Sequence, residues 1–394
     1  MPNSTGQVSR RRFIAGALGS GAAVVAPSVL TGARAAEELK IATFYALSGP
    51  GSLFGPTQTA VTRLAVDEIN AGGGIGGRKV TVVPSDGGAP PAEAAKAAIR
   101  LMLRDKVDCV VGSHDSAVRE AIVAALKGRI PYVYTPLYEG GECNPNVYVT
   151  ADTPQQQVQP SITWLAKTLG TKSYYLIGND YVWPRKTNEQ AKKYIGAAGG
   201  NVVGEEYVPL GAPNKFEDAV TRIKARNPDL VVITLVGGDN INFNRTFAGF
   251  GLDKSIKRIS YLLEEQTLLG IGDKSSSGLY SAMSYFENEK GEANAKFKAG
   301  YRKAAGAKAP QLGMIGVDTY GGVYCAKALI EKAGGTDAAR LMAAADNLKY
   351  RTPTGTAVMT NRHVVKDMYL AECKGTSFDI VQTFKAVAHG QTCA

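Results

Sequence analysis

Short apolar runs, each cut off by a polar or glycine-containing loop and followed by a helical pattern, constrain the fold of this chain more than any other feature. Val107-Asp108-Cys109-Val110-Val111-Gly112 stops at Ser113-His114-Asp115-Ser116, and Tyr174-Tyr175-Leu176-Ile177 stops at Gly178-Asn179-Asp180. Continuous apolar runs of this length read as strands buried on both faces, which parallel sheets covered by helices require. Between them, apolar residues fall at helical spacing, as at Val61, Leu64, Ala65 and Ile69. Strand, loop and helix repeated in this way specify an α/β fold with open parallel sheets. Small ligands in such sheets sit beyond the carboxyl ends of the strands, so the loops that close these runs are the candidate binding elements.

The alternation runs twice. Strands are expected at 39–45, 79–84, 107–112 and 130–134, then a crossing strand at 147–150 and a helix to residue 169 opened by Asp152-Thr153-Pro154. The pattern restarts with strands at 173–177, 202–208, 230–235, 259–263 and 278–284, and with helices at 184–198 and 216–226. Helices at 291–305, 313–333 and 337–348 follow, then a linker at 351–355 and strand-like runs at 368–372 and 378–384. A chain of 394 residues is longer than one core ordinarily serves. Crossings near 152, 286 and 351 describe two lobes joined by several strands.

Residues 1–36 are left out of that fold. Arg10-Arg11-Arg12-Phe13 precedes an apolar, Gly/Ala-rich segment, and Ala33-Arg34-Ala35 offers small residues for cleavage. This resembles a twin-arginine export signal removed near residue 35, and no later segment is apolar for long enough to span a bilayer. Removing it takes four arginines and no acid, lowering the net charge from +10 to +6. That bias comes without a basic stripe, which argues against nucleic acid as a partner. Export permits disulfides, and Cys373 and Cys393 flank a pair of strand-like runs that a bridge between them would staple. Cys109 and Cys325 lie in apolar runs and read as buried thiols, while Cys143 has no evident partner.

Several kinds of chemistry are poorly supported. The glycines at 49–55 contain neither a Gly-Lys-Ser/Thr nor a regular GxGxxG pattern, so they read as a loop that brings backbone N–H groups to a ligand at a helix start. Ser113, His114 and Asp115 are sequence neighbours without a Gly-x-Ser-x-Gly elbow, whereas a catalytic triad converges from separate elements. Three histidines and no ligand-spaced cysteines leave no basis for a zinc site, and no cofactor is expected. Ser116 is the expected cap of the helix after 112. Asn179, Asp180, Tyr181 and Trp183, at one strand's carboxyl end, combine two hydrogen-bonding groups with two large rings.

Asp67-Glu68-Ile69-Asn70-Ala71-Gly72-Gly73-Gly74-Ile75-Gly76-Gly77-Arg78, placed after the first strand-loop-helix unit, resembles the type I periplasmic binding proteins of the Leu/Ile/Val class. Within that class, Tyr138-Glu139-Gly140 and Ile177-Gly178-Asn179-Asp180-Tyr181-Val182-Trp183-Pro184-Arg185 resemble the branch that takes urea and short-chain amides. The resemblance implies two Rossmann-like lobes joined by a three-strand hinge, 37–152 plus 286–350 and 153–285 plus 351–394. It also implies a periplasmic, non-catalytic protein that closes on a small ligand and delivers it to an ABC permease. Position in the motif makes Ser113, His114, Ser116, Tyr134, Thr135, Leu137, Tyr181, Trp183, Asp239, Glu264 and Tyr285 the expected ligand neighbours. Thr-Pro-Leu-Tyr at 135–138 and His114 depart from the amide branch. An amino acid or an aromatic acid is therefore the alternative ligand, and an amide-responsive sensor the alternative role.

Overall fold

The computed structural model of the protein describes residues 37–213 and 216–391. The expected export segment 1–36 and Cys393 lie outside them. Strands β1 (Leu39–Tyr45), β2 (Val80–Asp86), β3 (Cys109–Ser113), β4 (Tyr132–Tyr134) and β5 (Val147–Val149) form a sheet in the order β2-β1-β3-β4-β5, and every neighbouring pair is parallel. The crossing strand expected at 147–150 is therefore the edge of this sheet, with Val147 opposite Tyr132. Its Val149 N–H also donates to the Arg362 carbonyl at 2.8 Å, which ties the sheet to a distant part of the chain.

The connecting helices are α1 (Gly55–Ala71), α2 (Pro91–Leu103) and α3 (Ser116–Leu126). Val61, Leu64, Ala65 and Ile69 of α1 are buried, as their spacing requires. The cap of α3 is Asp115 rather than Ser116: its carboxylate accepts from the Val118 N–H at 2.9 Å, which satisfies a first-turn donor, and Ser116 is the first helical residue.

After α4 (Pro154–Leu169), opened by a capping box between Thr153 and Gln156, the pattern repeats. Strands β6 (Ser173–Asn179), β7 (Asn201–Val208), β8 (Leu230–Thr234), β9 (Lys257–Ser260) and β10 (Leu279–Met283) run parallel in the order β7-β6-β8-β9-β10. They alternate with α5 (Val182–Ala197), α6 (Glu217–Arg226), α7 (Gly237–Gly249) and α8 (Glu265–Ile271). The polar strand end expected at 236–240 is the start of α7, which seats Phe243 and Phe247 one turn apart in the core. Next come α9 (Glu292–Ala305), α10 (Met314–Ala333) and α11 (Ala338–Ala345). Helix α10 packs on α1, β3 and β4 of the first sheet.

Four antiparallel strands, β11 (Leu348–Thr352), β12 (Gly355–Thr360), β13 (His363–Lys374) and β14 (Ser377–Val387), complete the second sheet, with β13 joined to β10. The linker expected at 351–355 is the tight turn of the β11–β12 hairpin. Leu348 and Tyr350 point inward while Lys349 and Arg351 point out, the period-two burial of a strand.

The expected Cys373–Cys393 bridge is not formed. Cys373 is a free thiol on β13, 3% exposed and packed in the core. Cys143, in the irregular stretch after Tyr138, is disulfide-bonded instead. Cys109 and Cys325 are buried free thiols, as expected.

A buried ion cluster joins the connecting segments. Lys366 Nζ donates to Asp152 Oδ1 at 2.8 Å, to Asp318 Oδ2 at 2.6 Å and to Ser284 Oγ at 3.3 Å, and Asp152 Oδ2 accepts from the Ser284 N–H at 3.0 Å. Burial pushes the Asp318 carboxyl up to about 7 against the pull of Lys366.

Candidate functional site

Chain order reverses between β1 and β3 in the first sheet and between β6 and β8 in the second. At such a switch point the two following helices leave on opposite sides of the sheet, and a crevice opens beyond the strand ends. Residues after β1, β3, β6 and β8 line one cavity of about 70 Å³. That is well below the roughly 300–1,000 Å³ of sites for drug-sized molecules, so this space suits a compound of few heavy atoms.

Two glycines shape its rim. A Cβ on Gly88 would lie 2.0 Å from the Ser48 carbonyl oxygen, and one on Gly87 would lie 2.9 Å from His114 Cβ. The loop after β1 is held there by Asp86, which accepts from the N–H groups of Leu47, Ser48 and Gly88 and from Ser48 Oγ. Burial works against the Asp86 charge, but these bonds hold its carboxyl below the usual carboxylate range.

Of the expected ligand neighbours, Ser113, His114, Ser116, Tyr134, Leu137, Tyr181 and Trp183 line the cavity. Their free valences are fewer than their number suggests. His114 Nδ1 lies 3.0 Å from the Asp115 carbonyl, which can only accept, so this nitrogen carries the proton. Nε2 then accepts from the Tyr132 hydroxyl at 2.8 Å. Burial first, then Arg119, pushes the ring down to about 4, so it is neutral at neutral pH. Ser116 Oγ donates to Glu139 Oε2 at 2.6 Å, and the Tyr134 hydroxyl donates to the His114 carbonyl at 2.6 Å. Glu139 is held in turn by Arg119, which also pairs with Glu142 and packs against the rings of both Tyr134 and Tyr138.

Tyr181 and Trp183, at the start of α5, form the facing wall with ring centroids 6.2 Å apart. Burial, followed by the nearby Asp115, raises the Tyr181 phenol well above its usual value, so it is neutral and able to donate.

Thr135, Asp239, Glu264 and Tyr285 are not among the residues that line the cavity, and each is held by a neighbour. Thr135 Oγ1 donates to the Gly112 carbonyl at 3.3 Å, and the Tyr285 hydroxyl to Asn294 Oδ1 at 3.0 Å. Asp239 accepts from Asn179 Nδ2 at 2.7 Å, while Asn179 Oδ1 accepts from the Val236 N–H, so this pair ties β6 to α7. Glu264 accepts from the Ile315 N–H at the start of α10. Asp180 is exposed and pairs with Arg185 at 2.6 Å.

The sequence reading did not single out Gln58, Gly87, Gly88, Leu210, Val236, Leu262 and Ile315, which also line the cavity. Gln58 left a signal: it is a polar residue in the apolar stripe of α1, between Phe54 and Val61 and buried to 1% exposure. Gly87-Gly88 follows the carboxyl end of β2 directly, the position already favoured for the other loops. Among the described residues no group of His, Cys, Asp and Glu is placed to hold a metal ion, and no helix is long and apolar enough to cross a membrane. What remains is a small, ring-walled recess with a few hydrogen-bonding groups on the β3–α3 side.

The chain is similar to known proteins in sequence and in fold. Over 241 residues the chain is 24% identical to the Leu/Ile/Val-binding protein BraC3 of Rhizobium johnstonii, covering 55% of this chain and 65% of that protein. It is 28% identical over 226 residues to Leu/Ile/Val-binding protein homolog 7 of Brucella abortus, covering 54% and 55% respectively. The chain thus spans somewhat more than half the length of these curated relatives. A solved solute-binding protein of an ABC transporter from R. palustris, in complex with 4-hydroxybenzoate, is 26% identical with a TM-score of 0.81, covering 90% of this chain and 99% of that one. Residues 38–377 match the family described as periplasmic binding protein, and the chain belongs to that family.

Proposed function

We propose that this chain is the exported solute-binding component of an ABC transporter. It captures a small compound between two lobes, 37–152 plus 286–350 and 153–285 plus 351–394, and passes it to a membrane permease without any covalent step. The observation that carries the reading is the small cavity shared by the strand ends of both sheets, with Ser113 and His114 on one side and Tyr181 and Trp183 on the other. Closure of one lobe on the other would bury the ligand and exclude water. The residues proposed as contacts are the seven expected ones that line this cavity, together with Gln58.

The preferred ligand class is a short amide or urea-like nitrogen compound. Tyr181 and Trp183 supply flat apolar cover, and neutral hydrogen-bonding groups supply orientation. A second reading is an aromatic acid, favoured by the 4-hydroxybenzoate held by the R. palustris protein. Calorimetric titration of residues 37–394, freed of carried ligand by unfolding and refolding, tests both. Saturable binding of acetamide, urea or benzamide with no product formed supports the amide reading. Binding confined to benzoates or to a branched amino acid moves the ligand but keeps the role, and turnover of any probe refutes capture without chemistry.

A further inference from the structure

The cavity wall contains one amide whose bonding is half complete. Gln58 Nε2 donates to Ser113 Oγ at 2.6 Å and to the Ser113 carbonyl at 3.2 Å. The carbonyl can only accept, so it fixes the amide with nitrogen toward Ser113 and oxygen away from it. Gln58 Oε1 is then buried with no partner. An acceptor left in this state forfeits its hydration with nothing in return, and such groups in native proteins ordinarily have a reason. Accepting from Gln58 also leaves the Ser113 hydroxyl proton free to donate.

The charges around this pair restrict what completes it. Among the described residues, no Lys or Arg lines the cavity, and Asp115 does. The first turn of α3 is already capped, since the Asp115 carboxylate takes the Val118 N–H. Arg119, one turn along, is bound to Glu139 and Glu142. A carboxylate here would meet no cation among the described lining residues and would add its charge beside Asp115 and the Gln58 carbonyl oxygen. An uncharged head bearing N–H on one atom and an oxygen on the next would meet an acceptor in Gln58 Oε1 and a donor in Ser113.

We infer that Gln58, oriented by Ser113, is the specificity-determining residue of this cavity and selects a carboxamide head group over the carboxylate of the same shape. The inference rests on the reading of the cavity as the ligand site, and it decides between the two ligand classes left open above.

Matched pairs test it: acetamide against acetate, and benzamide against benzoate, titrated calorimetrically to millimolar concentration into ligand-free protein. Wild type is expected to favour the amide of each pair by at least about tenfold, the effect of pairing one buried acceptor. Gln58→Leu removes that preference by weakening the amide while leaving the carboxylate unchanged. Gln58→Glu keeps an acceptor in place and adds charge, so benzamidine, the cationic isostere of benzamide, gains at least about tenfold over its affinity for wild type. Carboxylates bound more tightly than amides by wild type, or an amide affinity unmoved by Gln58→Leu in a variant with native melting temperature, overturn the role of Gln58 and leave the cavity as the site. Silence of all five probes overturns the ligand-site reading itself.

Discussion

Glu264 of the β9–α8 connection accepts a hydrogen bond from the backbone N–H of Ile315 at 2.9 Å, while its second oxygen, Oε1, is buried without a partner. The approach is possible because residue 313 is glycine: a Cβ there would lie 2.5 Å from Glu264 Cδ. A residue expected to touch the ligand instead joins the α8 start to the α10 start. Gln266 extends the seam, its Nε2 donating to Thr57 Oγ1 at 2.9 Å.

Burial raises the Glu264 carboxyl to about 8, with the Ile315 N–H opposing and Asp318 adding to the rise. An unfolded glutamate titrates near about 4.3, so the folded chain holds a proton that the unfolded chain has lost. This contribution to stability is complete below pH ~4.3 and is lost progressively as pH rises to about 8. Glu265 and Asp318 are shifted the same way. Glu264→Gln keeps an acceptor for Ile315 and removes one of these protons. Melting temperature against pH from about 5 to 8 should fall less steeply in the variant than in wild type. Parallel curves would show that Glu264 does not titrate as described.

Tyr181 is half-buried and makes no side-chain cap on α5, whereas Trp183 is 2% exposed. Tyr181→Ala should therefore weaken binding of whichever probe proves saturable by about tenfold, with little change in melting temperature. Trp183→Ala should weaken binding and also lower stability by about 3–5 kcal/mol, the range for emptying a large aromatic site. Denaturant unfolding together with titration separates the two, and a Trp183 variant of unchanged stability would contradict its packing.

Cys143 is bonded and Cys373 is not. Reduction, or Cys143→Ser, should cost about 2–4 kcal/mol by freeing the loop in the unfolded chain. Cys373→Ser should respond to reductant as wild type does, which a thermal melt with and without dithiothreitol reads directly. Loss of the reductant effect in Cys373→Ser would reverse the assignment.

Lys366→Met would leave the Asp152 and Asp318 carboxyls buried without their cation. Removing one partner of a buried ion pair costs about 3–5 kcal/mol, readable by urea unfolding at neutral pH. The deficit should grow as pH rises above about 7, where Asp318 gives up its proton in wild type under the pull of Lys366 but keeps it in the variant. A variant as stable as wild type would mean that the cluster contributes nothing net.

Local pattern carried the architecture. The continuous apolar run Tyr174–Ile177 is fully buried, as a central parallel strand must be, and the loops at strand ends include most of the cavity wall. What local pattern does not carry is long-range. Asp239 and Glu264 stand at strand ends like His114, but their carboxylates are taken by Asn179 and by the Ile315 N–H, 60 and 51 residues away. No local periodicity encodes such a partner. The same holds for Gln58, whose tie to Ser113 crosses 55 residues, although its place in an apolar stripe marked it as unusual. The β11–β12 hairpin was not legible, because its two short strands flank a Thr-Pro-Thr-Gly turn with the composition of a linker.

An ammonium group has three protons, and Lys366 gives one each to Asp152, Ser284 and Asp318, which lie in three separate stretches of the chain. Loss of the lysine strands both carboxyls, and loss of either carboxyl leaves an ammonium proton without its acceptor. A descendant of this sequence that loses the lysine must also lose a carboxyl, so these four positions are constrained to change together rather than singly.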